Sequence, residues 1–561
     1  MSRTYRNPLA LAFGIMSLCA AAHANYDPFA APRTTDAPPT FSGEIAAIVY
    51  NNCTPCHHDG GGAPIPLTSY EQIAKRARMI AQVTGDRIMP PWKAAQGDVS
   101  FLNERHLSDD TIAVLSAWAD AGAPLGDADA VPTAPVFDSK WTHGEPDLVL
   151  SMEEPFTIPA SGPDIYRGFV VRIPELPEGT YLRGIEYRPK ALLSAHHTLF
   201  SLDATGESRA MSEASKRPGF GGMESNLSLN RVGGWAVGSI SNLYPEGVGV
   251  PLVPGTDLIL STHFHPGGKE EIEQAEIGLY LTQEIPTRHM VALDVPFGFG
   301  LLAGIRIPAG DPDYTIHEHF ELPVDATLFG ISPHAHYIAK SMHCEATLPD
   351  GTAMTIISVP RWDFAWQEQY RLKEPLPLPK GTKFDLTFVY DNSADNPANP
   401  HNPPMEITYG PQTTDEMACM TMAFLSDSEA AIDTLRQDYI AWVKEDIKHA
   451  DLSVMVGAAR QQRKEALDLN SDGHISLSEI WTRLSKARAR MSRADADSLQ
   501  MQLLPEIGKR IFLTVILPRL LPYIAVFVAL LALGLYGLRR WLRAARKRKQ
   551  ERRAEEFAEA A

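Results

Sequence analysis

The sequence predicts a multidomain chain: a small helical unit, two tandem antiparallel β-sandwiches, a second helical segment and a single C-terminal transmembrane helix. Three observations carry this. At 561 residues the chain is too long for one core. Across residues 141–426, short runs such as GFVVRI, DLILSTHF, ATLFGIS and KFDLTFVY alternate with proline- and glycine-containing turns, the pattern of sandwich strands. Residues 520–538, LLPYIAVFVALLALGLYGL, are apolar over a length that crosses hydrocarbon at about 1.5 Å per residue.

In chain order, Arg3 and Arg6 precede the apolar stretch PLALAFGIMSLCAAA and the small-residue site AHA, so residues 1–24 read as a cleaved signal peptide. An N-terminal membrane anchor is the alternative, and the run is shorter than the ~20 residues a span needs. Residues 25–40 are a Pro/Ala-rich linker. Residues 41–127 have a helical pattern that ends on SDDTIAVLSAWADAGAPLGD, with Ser108 as N-cap and Gly-Ala-Pro as the stop. A second linker spans 128–143. The two sandwiches occupy 144–285 and 286–428. Residues 429–500 turn helical and charged, and 511–538 form the membrane segment around its 520–538 core. Pro522 falls in the tolerant first turn. The basic tail 539–561 begins at Arg539, and positive residues stay on the cytoplasmic side, which places the large N-terminal region in the periplasm and the chain in the inner membrane. A buried core helix at 520–538 would leave that tail unexplained.

The net charge of −17 argues against a nucleic-acid binder, and the 44% hydrophobic share is ordinary for a globular protein. Removal of the signal leaves Cys53, Cys56, Cys344 and Cys419; the last two are a candidate disulfide in an oxidising compartment.

The first chemical motif is NNCTPCHHDG. Cys53, Cys56 and His57 make C-x-x-C-H, the pattern of covalent c-type haem attachment: two thiols for the porphyrin edge and an imidazole for the iron. A thioether as sixth ligand raises the reduction potential, and Met89 in RIMPPW is the candidate. Met79 is the fallback, in a helical pattern that suits a core position. A redox dithiol or half a zinc site also contains C-x-x-C, but no second cysteine pair is nearby. With its MPPW methionine and final helix, the unit resembles a small class I cytochrome c. His58 is read as a surface residue.

The second is a set of paired histidines. His334 and His336 in ISPHAHYIAKSM lie two apart, a spacing that puts both on one face of a strand. Alone the signal is weak: His317 and His319 in IHEHF share it and read as solvated. Company strengthens it: His196 and His197 in LLSAHHTLF, His263 and His265 in LILSTHFHPGG, and Met417, Cys419, Met420 and Met422 in TTDEMACMTMAF. Imidazoles with a soft thioether suggest copper.

The segments SAHHTLF, STHFH, SPHAHYIAKSM and TDEMACM occur in the order seen in copper type II, ascorbate-dependent monooxygenases, the family of peptidylglycine α-hydroxylating and dopamine β-monooxygenases. The chain resembles that family over roughly 144–426. The resemblance implies two jelly-roll-like sandwiches with a copper on each, facing across an open cleft. It assigns His196, His197 and His263 to an electron-supplying copper, with His265 as an alternative ligand. It assigns His334, His336 and Met417 to the copper that meets dioxygen and substrate, with Cys344 and Cys419 as a flanking brace. Where the amidating enzyme carries an arginine and a tyrosine that hold a peptide carboxylate, this chain has Ser332 and Thr421, so a peptide C-terminus is not the expected substrate.

A fused haem fits such an enzyme as a one-electron carrier in place of a soluble reductant, itself fed by a periplasmic or membrane donor. The third motif, LDLNSDGHISLSEI, matches the twelve-residue EF-hand loop at 468–479: Asp468, Asn470, Asp472, the His474 carbonyl, Ser476 and Glu479 as calcium positions, with Gly473 at the turn. The expected whole is a membrane-tethered haem–copper monooxygenase that takes dioxygen and an organic substrate. A non-catalytic periplasmic copper-binding or electron-transfer protein is the alternative.

Overall fold

The structure is a computed structural model. It describes residues 37–450 except 60, 62, 64, 138–140, 222–230 and 238, together with 509, 510 and 513. The expected signal peptide 1–24, the expected calcium loop 468–479, the expected span 520–538 and the basic tail lie outside the described residues. Among the described residues no helix is long and apolar enough to cross a membrane.

Two compact units emerge. The helical one is not the continuous 41–127 span the sequence suggests. Among the described residues it contains the chain up to Trp92 and again from Glu104 to Phe137, while Lys93–Asn103 belongs to the other unit with the described residues from Trp141 on. The helices are Ala46–Asn52, Tyr70–Ala74, Ala77–Gly85 and Asp109–Asp120. Ser69 closes a reciprocal capping box with Gln72. Ser108 Oγ accepts the Thr111 N–H at 3.1 Å, with Asp109 and Asp110 in the first turn where the helix dipole favours them. Phe41 and Trp118, both fully buried, centre the core, and the Trp118 indole N–H donates to the Pro124 carbonyl at 3.1 Å.

The larger unit holds two sandwiches. In the first, a five-stranded sheet in the order Phe220–Gly221, Ile165–Arg172, Asp257–Phe264, Ala195–Asp203, Arg231–Ala236 faces a four-stranded sheet of Leu148–Ser151, Glu276–Thr282, Tyr181–Arg188 and Val250–Pro251. Phe169, Leu182, Phe200, Leu260, Phe264 and Ile277 fill the space between them. The central strand Asp257–Phe264 is buried at every position, so its polar residues Asp257, Ser261, Thr262 and His263 are buried along with its apolar ones.

In the second, His289–Val295, Cys419–Ser426, Ala326–His334 and Tyr370–Leu378 form one sheet, and Tyr314–Glu321, Lys383–Tyr390, Ala339–Thr347 and Ala353–Val359 the other. Phe384 and Phe424 meet edge to face across the gap, with centroids 5.9 Å apart. The helix Glu429–His449, capped by Ser428, packs on this sandwich, and its Tyr439 hydroxyl donates to the Asp294 carbonyl at 2.6 Å.

Lys93–Asn103 runs along the second sandwich as a strap. Ala95 N–H donates to Ser358 O at 2.8 Å, Leu102 N–H to Arg371 O at 2.7 Å, and Lys373 N–H to Ser100 O at 2.8 Å. Lys93 Nζ pairs with Asp363 Oδ2 at 2.8 Å. These bonds satisfy the strap's backbone on the sandwich, which is why it leaves the helical unit.

The candidate Cys344–Cys419 disulfide is not formed: both thiols are free and buried. They stand in different sheets among different neighbours. Cys344 lies beside Asp385 and Glu345, whereas Cys419 Sγ is 3.8 Å from Thr421 Oγ1 and lies beside Asp294 and Arg231.

Candidate metal centre

Adjacent strand residues normally point to opposite faces, so His196 and His197 should diverge. A bulge prevents it. The Ala195–Asp203 strand pairs Ala195 with Phe264 and His197 with His263, so His196 is the extra residue. The bulge turns both imidazoles toward His263 on the neighbouring strand. Candidate ligand atoms of His196, His197 and His263 all lie within 4.8 Å of one another.

The atomic detail suits an ion. His196 Nε2–H donates to the Phe364 carbonyl at 3.1 Å, which leaves Nδ1 as a lone pair, and that Nδ1 is 3.2 Å from His197 Nδ1. Two nitrogens each about 2.0 Å from one tetrahedral ion stand about 3.3 Å apart. His263 is 1% exposed, and neither ring nitrogen has a hydrogen-bond partner. Its Nε2 is 3.5 Å from Asp164 Oδ2, too far for a good hydrogen bond. An orphaned buried imidazole costs about 1–3 kcal/mol, which ligation would offset. The Tyr166 ring stacks on His263 at 4.3 Å and 10°.

His265 is set apart. It lies just past the strand end, and its Nδ1 donates to Asp164 Oδ1 at 2.7 Å with the side chain 43% exposed. Burial alone would raise the Asp164 carboxyl, but nearby His263 and the bonds with His265 and the Thr413 N–H hold it well below the usual range.

The H-x-H pair departs from the simple strand picture. His334 ends the Ala326–His334 strand and His336 lies beyond it, so the second imidazole is aimed by a turn. Their rings are 5.4 Å apart at 86°. His334 Nδ1–H donates to Gln367 Oε1 at 2.6 Å, and His336 Nδ1–H to the Asp415 carbonyl at 3.2 Å, leaving both Nε2 atoms as lone pairs. The His336 backbone N–H donates to the fully buried Glu416 carboxyl at 2.7 Å, and burial holds that carboxyl well above its usual range. Met417, 3% exposed, packs with Phe299 and Cys419, and the Phe299 ring meets His334 edge-on at 5.2 Å. By contrast, His317 and His319 face solvent.

The two histidine sets adjoin rather than face each other across an open cleft: the His197 and His334 rings are 5.7 Å apart. Polar contacts between the sandwiches account for the closure. Thr413 N–H donates to Asp164 Oδ2 at 2.8 Å, the Tyr166 hydroxyl donates to the Pro411 carbonyl, and Arg231 pairs with Asp294. No local pattern in the sequence marks Asp164, Tyr166, Phe364 or Gln367; their place near the site comes only from the tertiary fold.

Burial depresses all five imidazoles, and neighbouring histidines push each of them further; His334 is lowered to about 4. They are therefore neutral and ready to ligate near pH 7. A histidine depressed in the folded state takes up its proton first in the unfolded chain. Stability of the metal-free protein should therefore fall as pH drops below about 6.5, with His334 alone contributing up to about 2 kcal/mol by pH 5. Melting of chelator-treated protein from pH 7 to pH 5 checks this; a flat melting temperature would contradict it.

In the helical unit, Cys53 ends the Ala46–Asn52 helix, and His57 N–H bonds to Cys53 O at 2.9 Å. His57 Nδ1–H donates to the Ile65 carbonyl at 2.7 Å, leaving Nε2 free. Neither cysteine is in a disulfide, and burial together with nearby Cys56 pushes the Cys53 thiol to about 12. Met89 is half-buried, whereas Met79 is 45% exposed on the Ala77–Gly85 helix rather than in the core. His58 is not a loose surface residue: it stacks on Phe137 at 3.8 Å and bonds the Thr54 carbonyl.

No protein-family model matches the chain, and no curated protein matches it. Among solved structures, the major capsid protein P2 of bacteriophage PM2 aligns at 8% identity and TM-score 0.20, covering 50% of this chain and 96% of that one. PNGF-II aligns at 13% identity and TM-score 0.23, over 50% and 65%. The infectious bursal disease virus VP2 subviral particle aligns at 9% identity and TM-score 0.15, over 50% and 70%. At these scores the likenesses carry no argument.

Proposed function

We propose that the chain is a copper-dependent monooxygenase that hydroxylates a C–H bond of an organic substrate with dioxygen and draws electrons through a covalently attached c-type haem. The observation that carries this reading is the convergence of five neutral imidazoles from two sandwiches, three buried and two partly buried, with Met417 and His334 both packed against Phe299. Nitrogen donors with a soft sulfur suit copper in both oxidation states. Asp164 and Glu416 sit one layer out and bond histidines, so the donor set is not the oxygen-rich one of calcium or magnesium.

Bound copper would supply one-electron redox and dioxygen reduction; the protein supplies the rest. His196, His197 and His263 would hold one ion, and His334, His336 and Met417 the other. The Phe364, Gln367 and Asp415 oxygens fix which ring nitrogen carries the proton. Tyr166, Phe299 and Phe364 exclude water. In the helical unit, Cys53 and Cys56 would carry the porphyrin, with His57 Nε2 and Met89 Sδ as candidate iron ligands. Calcium at 468–479 and tethering through 520–538 complete the proposal, with the catalytic part in the periplasm.

The substrate is not expected to present a carboxylate at Ser332 and Thr421. These residues are partners across adjacent strands, and the Thr421 hydroxyl donates to Asp294 at 2.7 Å. One observation favours the second reading, a copper carrier that transforms nothing: His263 and His336 are each 1% exposed, which leaves a substrate little access.

Metal and haem analysis of the intact protein, expressed with haem-attachment machinery, tests the proposal. Two coppers and one covalent haem per chain are expected, with oxygen uptake coupled to a hydroxylated product. Cys53→Ser with Cys56→Ser should abolish covalent haem and leave copper unchanged. Zinc in place of copper would refute the proposal, and metal cycling without product would leave the carrier.

A further inference from the structure

The loop between the Ala353–Val359 and Tyr370–Leu378 strands touches both histidine sets. Trp362 Nε1–H donates to the His336 carbonyl at 3.0 Å. Asp363 is pinned by Lys93 of the strap at 2.8 Å and accepts the Ala365 N–H at 3.0 Å. The Phe364 ring stacks on His196 at 4.1 Å and 14°, and meets His336 edge-on at 5.9 Å.

Its polar atoms form a chain from one set to the other. His196 Nε2–H donates to the Phe364 carbonyl at 3.1 Å, and the same carbonyl accepts Gln367 Nε2–H at 3.2 Å. With its amide nitrogen so committed, Gln367 presents Oε1 to His334 Nδ1–H at 2.6 Å. The order matters. A carbonyl oxygen only accepts, so His196 must keep its proton on Nε2 and its lone pair on Nδ1. Because Gln367 spends its N–H on that carbonyl, only its oxygen faces His334, and the His334 lone pair stays on Nε2. A reversed amide would face His334 with a donor and force the proton onto Nε2, the atom needed for ligation.

We infer that Gln367, acting through the Phe364 carbonyl, is a positioning residue that couples the two histidine sets, setting the ligating tautomer of His334 directly and of His196 indirectly. The inference rests on the reading of the sets as copper ligands and goes beyond it: the two ions are energetically linked through this loop, and by linkage the effect is reciprocal.

Two variants and two readouts test it, with copper as the probe on the full-length protein: cuprous affinity of each ion by chelator competition, and cupric EPR. Gln367→Leu loses both bonds. Affinity of the His334/His336 ion should fall by about 10–100-fold, and the hyperfine splitting of the His196/His197/His263 ion should shift. Gln367→Glu keeps an acceptor for His334 but has no donor for the Phe364 carbonyl. It should restore most of the lost affinity while the hyperfine shift persists, with wild-type melting as the check on folding. The inference is overturned if Gln367→Leu leaves the three-histidine signal superimposable on wild type, or if Gln367→Glu fails to restore affinity. Wild-type protein that takes up no copper would overturn the copper reading itself. Two bound ions with unresponsive spectra would overturn the coupling alone.

Discussion

Replacing His263 with alanine is expected to remove one copper per chain and to cut oxygen-dependent product formation roughly 10³-fold or more, the loss of a metal-assisted step worth several kcal/mol. His263 sits on the wholly buried central strand, is 1% exposed and has no hydrogen-bond partner on either ring nitrogen. Its removal leaves His196 and His197 as a two-nitrogen site with no third donor within the trio. Because alanine also removes an unsatisfied polar group, the metal-free variant should lose less stability than a cavity of that size implies. The difference should appear on metal addition: saturation at about 1,000 times Kd stabilises by about 4 kcal/mol per site, and the variant should lose that share of the copper-induced rise in melting temperature. His265→Ala is the control. That residue bonds Asp164 from a partly exposed position, so both coppers should remain. Two coppers in His263→Ala, or one in His265→Ala, would show that His265 and not His263 completes the site.

Some of this architecture is legible in the sequence alone. Alternation and turn residues marked the sandwich strands because period 2 is a local property; the Lys383–Tyr390 strand shows it position by position. The Ser108 cap and the Gly-Ala-Pro stop were legible for the same reason. Histidine spacing singles out side chains that the structure brings together, but not how they converge. Strand geometry alone separates His196 from His197 and aligns His334 with His336. In the structure a bulge brings the first pair together and a turn aims the second. Neither has a signal in residue type. The strap was illegible because its fixation is backbone hydrogen bonding to residues some 260 positions away, which leaves no periodic trace. The disulfide expectation failed for a related reason: cysteine count says nothing about which sheet each thiol occupies.

The contact between the sandwiches gives the largest expected effect on stability. Arg231, on the edge strand Arg231–Ala236 of the first sandwich, pairs with Asp294 on His289–Val295 of the second; the side chains are 9% and 8% exposed. Burial works against the guanidinium charge, and Asp294 more than offsets it. Asp294 also accepts from Thr421 Oγ1 at 2.7 Å, and Arg231 lies over the Phe299 ring at 5.6 Å. Arg231→Met would leave the Asp294 carboxylate buried with only uncharged partners, the Thr421 hydroxyl and the Cys419 thiol, at a cost of about 3–5 kcal/mol. That corresponds to a melting decrease of about 5–10 °C for a unit of this size. Removing both charges in Arg231→Met with Asp294→Leu should recover most of the loss, since a well-packed apolar pair is often neutral against a buried ion pair. Phe299 links this pair to the chemistry, because the same ring abuts His334 and Met417. The single variant should therefore also weaken the His334/His336 ion, and the double variant should restore it in part. If Arg231→Met melts with wild type, the charge pair is not what clasps the two sandwiches, and closure around the histidines must be assigned to the Asp164–Thr413 and Tyr166–Pro411 contacts instead.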